Sequence, residues 1–537
     1  MIYGIPLYVL IMLPLLAAAA GYFLPRRAYH HLLACTNLAV VALAVMTFVV
    51  VRHHGPVVHH LVGWPQGIAI RLVADLYAVP LVLLTALFFA GAFFFSTRAA
   101  YLDRTFLFLF TLLECSLLGI FLSGDLFNIY VMIELGMLII AILIMYKQDK
   151  QSVYDAMLYL MVNFIAMAFM LLGLGYLYRL TGVLDLDLLH QRLAQLDDPR
   201  PVLVPYALII TAVAVKAALF PLFSWLPRAH GAPSAPTTVS AVLSGVQVKA
   251  GVYLLVRLSL VFAPVIDAQA FFMVLGFITA VAGFCLAIAQ KDIKLILAYH
   301  TVSQVGLIVM GLHLGTEVAF WGGMYHIINH ALFKGLLFLT AGTIIEAYHS
   351  RSCVEIRGVL RTMPVIGIAT LAGILGITGA PLFNGSISKY FISEGLSGNW
   401  GGAALFIINL GTTVSFVKYA TILFGRPKEA VAVTRDPWIA GVSLFFGFAC
   451  LAGGLLGGPA VGLLFGQHLS TAGALSIHKL AMFALTLAIA ILAYRHLIPR
   501  LGGVLAEVRG HAFNFNQITV ALTLFFAGLL VYLHNVL

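Results

Sequence analysis

The chain has little charge. Only 9% of its 537 residues are Asp, Glu, Lys or Arg, whereas 62% are hydrophobic and the mean hydropathy is +1.04. So small a polar fraction cannot cover the surface of a globular protein of this size, which excludes a soluble fold. Segments of about 20 apolar residues recur from end to end, as membrane-spanning helices require, whereas membrane barrels show shorter alternating runs. The composition predicts an all-α integral membrane protein.

Cysteines and the common catalytic motifs are also scarce. The five cysteines are Cys35, Cys115, Cys285, Cys353 and Cys450. None of them has CxxC spacing, which argues against a disulfide framework and against iron–sulfur ligation. The sequence contains no phosphate-binding loop, GxSxG elbow or HExxH helix. We therefore expect no cofactor, no metal and no hydrolytic or redox site within this chain.

Apolar runs are what the sequence has in abundance. Windows of about 19 residues find sixteen of them, beginning near residues 5, 30, 76, 105, 126, 154, 203, 236, 270, 293, 317, 365, 402, 437, 478 and 517. Alternate loops between these runs hold most of the basic residues, namely Arg26, Arg27, Arg98, Arg104, Lys147, Lys150, Arg228, Lys291, Lys294, Arg351, Arg357, Arg361, Arg426, Lys428, Arg435, Arg500 and Arg509. The other loops hold Arg52, Arg71, Arg192, Arg200 and little else.

This one-sided distribution predicts the orientation of the chain. Loops rich in Lys and Arg stay in the cytoplasm, so an even helix count places both termini on the outer face. The net charge of +10 then follows from topology and requires no nucleic-acid partner. The outer loop RHHGPVVHH can bind a metal, but a solvated loop is favoured. Residues 180–201 have helical apolar spacing, which predicts an interfacial amphipathic helix.

Two lysines lie within apolar runs in the stretch from Ala212 to Leu258. Lys216 precedes Pro221 by five residues, and Lys249 follows a Pro-Ser-Ala-Pro hinge. A charge at mid-bilayer costs about 2.5–3.5 kcal/mol on insertion scales, so two such lysines favour a polar pathway over snorkelling or carbonyl capping. A proline inside a helix frees a carbonyl that protein or water must satisfy. This stretch therefore predicts that water or polar groups are present inside the membrane-spanning part of the protein.

Other charges fall within apolar runs as well. Glu134 lies eight residues into its run, and an ion pair with Lys216 is the economical arrangement for a buried carboxylate. Such a pair couples the protonation of both groups, which lets a proton step between them. Glu114 and Lys418 are second-rank candidates of the same kind.

A third group of polar residues follows helical spacing. His326, His330 and Lys334 are four residues apart and project from nearly one face. Histidine changes charge near physiological pH, so the stripe favours a proton relay over zinc binding or packing histidines. Lys389 follows the break GAPLFNG, which echoes the one after Lys216. Discontinuous helices at corresponding places in two halves are typical of inverted-repeat transporters.

At these residues the sequence resembles the antiporter-like membrane subunits of respiratory complex I, membrane-bound hydrogenases and Mrp-type multisubunit cation/proton antiporters. The resemblance covers roughly residues 70–430 and rests on LSGDLFNIYVMIELGMLI, KAALFPLFSWLPRAHGAPSAP, VSAVLSGVQVKAGVYLLVRL, QKDIKLILAYHTVSQVGLIVMGL and HALFKGLLFLTAG. GWPQGIAIRLVADLYAVPLVLL, LSGDLFN and a lysine on the later broken helix are most similar to the D-type component of Mrp antiporters. The HGAPSAP turn is as similar to hydrogenase and complex I subunits.

The resemblance implies a fold of about fourteen core helices with two inverted five-helix repeats, each with one discontinuous helix, plus about two extra C-terminal helices. The implied divisions are residues 1–104, the repeats 105–262 and 263–425, and the C-terminal helices 426–537. By position, Glu134 is similar to the glutamate at which protons enter, Lys216 to its partner and Lys249 to the connecting lysine. His326, His330 and Lys334 are similar to the central relay, and Lys389 to the exit lysine.

The implied function is proton translocation inside a multisubunit membrane complex, in a bacterial or archaeal plasma membrane. The leading hypothesis is an antiporter in which proton influx drives Na⁺ outward, with other membrane subunits and the bilayer as partners. A proton-pumping subunit of a complex I-like or hydrogenase-like redox complex is the second. The membrane subunit of an inorganic-carbon uptake complex is the third.

Overall fold

The computed structural model describes residues 6–63, 66–67, 70–231, 233, 235–396, 399–427, 431, 436–510 and 514–536. The first helices are α1 (Tyr8–Gly21), α2 (Arg26–His54), α3 (Val79–Phe95), α4 (Arg104–Leu122), α5 (Leu126–Ile144), α6 (Lys150–Thr181), α7 (Leu186–Leu193), α8 (Leu203–Lys216), α9 (Thr237–Val242), α10 (Val248–Phe262) and α11 (Gln269–Ala289). The remaining helices are α12 (Ile293–Leu312), α13 (Glu317–Tyr348), α14 (Val359–Thr362), α15 (Pro364–Thr378), α16 (Asn384–Glu394), α17 (Asn399–Ala420), α18 (Pro437–Leu455), α19 (Gly457–Phe465), α20 (Ile477–Leu492), α21 (Ile498–Arg500), α22 (Gly502–Gly510) and α23 (Phe515–Val536).

The predicted all-α membrane fold is confirmed. Among the described residues, twelve helical segments are long and apolar enough to cross a membrane, and three shorter apolar helices accompany them. Each of the sixteen apolar runs coincides with one of the helices. Two of the basic residues that predicted the orientation, Lys428 and Arg435, lie outside the described residues.

Several helices are preceded by an aspartate, although acidic residues are scarce in this chain. An aspartate side chain at an N-cap accepts a hydrogen bond from a backbone N–H that the helix leaves unsatisfied. The aspartates at this position are Asp103 before α4, Asp125 before α5, Asp149 before α6, Asp185 before α7, Asp292 before α12 and Asp436 before α18. These caps explain why much of the small acidic complement of the chain lies at helix ends rather than in the membrane interior.

The described residues divide into two compact units. The first contains Met1–Trp225, Val246–Ala268 and Asn514–Leu537, and the second contains Leu226–Gly245 and Gln269–Phe513. These units are defined by how the helices pack. The inverted repeats 105–262 and 263–425 that the resemblance implies are defined by similar helix arrangement instead, so their boundaries stay a prediction.

In the first unit, a short antiparallel hairpin joins β1 (Val57–His60) to β2 (Arg71–Ala74), with His59 opposite Leu72. His59 belongs to the predicted solvated loop, and its Nδ1 accepts a hydrogen bond from the Leu7 amide at 3.1 Å. The amphipathic segment forms the helix α7, which is shorter than the predicted stretch. Three of its four leucines, Leu186, Leu189 and Leu193, are buried in the protein.

In the second unit, α11 and α12 pack with their backbones in close contact. A Cβ atom at Gly276 of α11 would lie 2.5 Å from the amide nitrogen of Met310 on α12. Glycine is required at that position because any side chain would separate the two helices. The close packing holds α12, and the polar residues it carries, beside α11.

Both predicted helix breaks are present, one in each unit. α8 ends at Lys216, five residues before Pro221, and the left-handed backbone of Ala218 turns the chain there. α15 ends at Thr378 and α16 begins at Asn384, with five residues between them. Each break leaves helix-end carbonyls free for other donors.

Candidate functional site

Lys216 lies at the end of α8, where the first break begins. Its side chain is buried, and its ammonium nitrogen has no hydrogen-bond partner among the residues that the structure describes. Nearby, the Trp225 indole N–H donates to the Val215 carbonyl at 2.8 Å and so satisfies one helix-end acceptor. The lysine is therefore a buried donor held at a helix terminus, where the partial negative charge of the helix favours a cation.

Glu134 is half-buried on α5 and interacts electrostatically with Lys216. The two groups belong to the same unit. No hydrogen bond joins the two groups, because the ammonium has none among the described residues, and their predicted pairing stays a prediction. Tyr130 and Tyr159 are further electrostatic neighbours of Glu134.

Lys249 is completely buried on α10 in the same unit. Two residues later, Gly251 lets α10 approach α8 closely, since a Cβ there would lie 2.6 Å from the backbone carbonyl carbon of Lys216. The helices that carry the two lysines are thus in backbone contact. Any larger residue at position 251 would move Lys249 away from the first break.

The second-rank candidate Glu114 is buried on α4, and one carboxylate oxygen has no hydrogen-bond partner within the described ranges. Two residues later, the Ser116 hydroxyl donates to the Met132 carbonyl at 2.6 Å and ties α4 to α5. An unsatisfied carboxylate in a buried position costs free energy, so Glu114 stays a candidate rather than a packing residue.

His326 is the centre of a hydrogen-bonded string in the second unit. The ring is fully buried on α13, with Nδ1 lying 2.8 Å from the Ser388 hydroxyl of α16. Its Nε2 lies 3.1 Å from the Gln304 side-chain oxygen of α12. Three helices therefore meet at one imidazole. With Nε2 protonated, that nitrogen donates to Gln304 while Nδ1 accepts from Ser388.

His330 and Lys334 continue the predicted stripe along α13. The rings of His326 and His330 stack with their centroids 6.5 Å apart. The Lys334 ammonium donates to the Leu297 carbonyl and lies 5.8 Å from the centre of the Phe338 ring. All three residues of the stripe are buried. The helical spacing thus places them on one protein-facing side of α13.

Lys389 lies on α16, directly after the serine that contacts His326. Its ammonium donates to the Ile377 carbonyl at 2.9 Å, near the end of α15. The lysine therefore occupies the second break and satisfies an acceptor that the break leaves open. Ser388, which contacts His326, immediately precedes Lys389 on α16.

A cavity of about 330 Å³ extends from Lys389. Its polar lining comes mainly from α16, α17 and α20, and includes Ser386, Ser393, Asn409, Thr413, His478, Lys479 and Thr486. Lys389 is buried whereas His478 is exposed, so the cavity joins a buried ammonium to the surface of the unit. It has room for roughly ten waters at about 30 Å³ each.

Lys418, the other second-rank candidate, lies near the end of α11. Its ammonium donates to the carbonyls of Ala287, Ile288 and Gln290 at 3.1, 2.6 and 2.6 Å. These acceptors lie at the end of α11, where the last carbonyls have no partner within the helix. Lys418 therefore caps α11.

Sequence reasoning missed four buried polar residues. Gln304 and Ser388 bind His326, as described above. His300 on α12 is fully buried against Phe416 and interacts electrostatically with lysines of the same unit. Lys294, predicted in a basic loop, is instead buried in α12 and donates to the Ser240 hydroxyl at 3.3 Å. The motif AYHTVSQ, with four polar residues in an apolar run, was the available signal for two of them.

Comparisons with known proteins agree on one family. Residues 123–417 match the family described as NADH:quinone oxidoreductase/Mrp antiporter, TM. The N-type component of NADH-quinone oxidoreductase from Desulforudis audaxviator is 33% identical over 79% of this chain and 88% of its own length. The D-type component of the Na(+)/H(+) antiporter from Alkalihalophilus pseudofirmus is 31% identical over 78% of this chain and 88% of its own length. A chain of the Mrp complex from Dietzia sp. has the same fold, with a TM-score of 0.78, 24% identity, and coverage of 90% of this chain and 99% of that one.

Proposed function

Because the chain belongs to the NADH:quinone oxidoreductase/Mrp antiporter transmembrane family, we propose that it is the proton-conducting subunit of a multisubunit Na⁺/H⁺ antiporter. It works in the plasma membrane beside other membrane subunits. Proton influx through its buried charges drives Na⁺ outward through the assembly. The similarity to the D-type component of a Na(+)/H(+) antiporter supports this choice of ions.

The observation that carries the proposal is the string around His326. It joins α12, α13 and α16 through Gln304, His326 and Ser388, and the residue after Ser388 on α16, Lys389, lines a polar cavity. A buried imidazole with a donor and an acceptor on opposite sides can take a proton at one nitrogen and release it from the other. A purely structural core has no need of such a string, because apolar residues of the same volume pack as well.

The first unit supplies the beginning of the path. Glu134 is half-buried on α5, so protons can reach it from the surface of the unit. Its proton passes toward Lys216, whose side chain can accept it when it is a neutral amine. Lys249 is the next group, on the helix in backbone contact with α8. The second unit then uses Lys334, His330 and His326 before Lys389 releases the proton into the cavity.

A second function is favoured by a separate observation. The chain is also 33% identical to a component of NADH-quinone oxidoreductase. In that case the same path is driven by electron transfer in other subunits, and this chain carries no redox group. The path is shared, and only the partners differ.

Purification of the complex from its native membrane separates the two functions. Copurification with small membrane subunits alone supports the antiporter, whereas iron–sulfur or nickel–iron proteins support the redox complex. The purified complex is then placed in vesicles with a pH-sensitive dye, and a Na⁺ gradient is imposed. Proton movement that requires Na⁺ is expected; proton movement that requires an electron donor instead would overturn the antiporter assignment.

A further inference from the structure

A second cavity, of about 490 Å³, lies at helix ends in the second unit. It is bounded by the end of α11, the loop after α13, the last turn of α17, and the segment between Tyr494 and Arg509 that includes α21 and α22. It is separate from the Lys389 cavity and contains none of the proton-path residues. The segment from Tyr494 onward follows the core that the family resemblance covers.

The charge of this cavity comes from basic side chains. Among the described residues that line it, Lys291, Lys418, Arg495 and Arg509 are cationic and none is acidic. Lys418 and Arg509 bind carbonyls at the end of α11, the latter through Nε to Ala289 at 2.9 Å. A helix C-terminus carries only about half a negative charge, so it cannot neutralise two cations. Lys291 and Arg495 are exposed and add two more.

The other lining residues contribute no negative charge and are largely apolar. Burial raises the pKa of the Cys353 thiol, so this side chain stays neutral. Ile288, Ile498 and Leu505 line the same space. A cavity with one apolar wall and one cationic wall suits a molecule with an acyl part and an anionic part. A freely soluble anion would gain nothing from the apolar wall.

The position of the cavity fits the same ligand. Its walls are helix ends and the loops that join them, which lie at the membrane boundary. These loops belong to the basic set that predicts the cytoplasmic side. The cytoplasmic leaflet carries anionic lipids, and basic pockets between helix ends on this side bind their headgroups.

We propose that this cavity binds the phosphate headgroup of an anionic phospholipid. Lys291 and Arg495 at the rim contact the phosphate oxygens, while Lys418 and Arg509 supply a fixed positive field behind them. The acyl chains lie along Ile498 and Leu505. The bound lipid fastens the segment Tyr494–Arg509 to the ends of α11 and α17.

The test uses the purified complex and two lipids, phosphatidylglycerol and phosphatidylcholine. Retained lipid is counted by native mass spectrometry after delipidation and re-addition. The affinity of the double variant Lys291→Gln with Arg495→Gln for phosphatidylglycerol should be about 30-fold lower than that of the wild type. The reason is that each basic residue near the membrane surface raises the affinity for an anionic lipid roughly fivefold. The matched control is Arg361→Gln with Arg500→Gln, two exposed basic residues that do not line the cavity; it should bind like the wild type.

Three results would overturn the proposal. The first is equal retention of the two lipids by the wild-type complex. The second is unchanged phosphatidylglycerol binding by the double variant. The third is that soluble glycerophosphate or inorganic phosphate stabilises the complex against heat as strongly as the lipid does, which would assign the cavity to a soluble anion. Because all four substituted residues are exposed, loss of folding is not expected in either variant.

Discussion

Replacement of Lys389 by Met tests whether the second break conducts protons. Methionine keeps most of the side-chain volume but removes the ammonium that donates to the Ile377 carbonyl. The lost charged hydrogen bond is worth about 1.5–3 kcal/mol, which lowers stability without leaving an unpaired charge behind. The complex should therefore still assemble.

The effect on proton flux should be larger than the effect on assembly. A barrier raised by about 1.4 kcal/mol already lowers a rate tenfold, and Met has no group that can take the proton. We expect less than about one tenth of wild-type flux per assembled complex, measured with a pH-sensitive dye in vesicles and normalised by blot. Lys389→Arg should also fail, because a guanidinium does not release its proton.

Lys418→Met is the matched control. This lysine is also buried in the second unit and also binds helix-end carbonyls, three of them instead of one. It should lower stability more than Lys389→Met, yet keep near-normal flux per assembled complex. Normal flux in Lys389→Met, or equal loss of flux in both variants at equal abundance, would refute the assignment of Lys389 to the path.

Three further predictions concern the start of the path, its middle and the orientation. Glu134→Gln should abolish flux, while Glu134→Asp keeps part of it because it retains a titratable group; a packing role would reverse that order. Ser388→Ala removes one partner of His326 and should lower flux severalfold without loss of assembly, and unchanged flux in vesicles would place the serine outside the path. A cysteine near His59 should react with an impermeant thiol reagent from outside, whereas one near Arg426 should not; the opposite pattern would reverse the topology.

Much of the fold could be predicted from the sequence because a membrane constrains each helix locally. Every span needs a long apolar run, so the sixteen runs coincide with helices. The breaks were also predictable, because Pro221 and the Gly-Ala-Pro sequence before Lys389 are incompatible with a continuous helix. Buried charges stand out for a similar reason, since each is unfavourable in the bilayer interior.

What could not be predicted depends on which helices meet. Lys389 and Lys418 look alike in the sequence, yet only Lys418 is surrounded by three carbonyls of another helix. Gln304 and Ser388 gain importance only because α12 and α16 both reach His326. An ion pair between Glu134 and Lys216 was the predicted arrangement, and in the structure no hydrogen bond joins them. Whether two such side chains meet depends on rotamers that spacing alone does not determine.

The central claim is that protons pass through the string of Gln304, His326 and Ser388. The most direct test measures Na⁺-driven proton flux in vesicles that contain the complete complex with the variant His326→Gln. Glutamine keeps a hydrogen-bond donor and acceptor for Gln304 and Ser388 but cannot carry a proton near neutral pH. We expect a normally assembled complex whose flux falls to background. Wild-type flux at equal abundance would refute the proton path, because His326 would then be a packing residue.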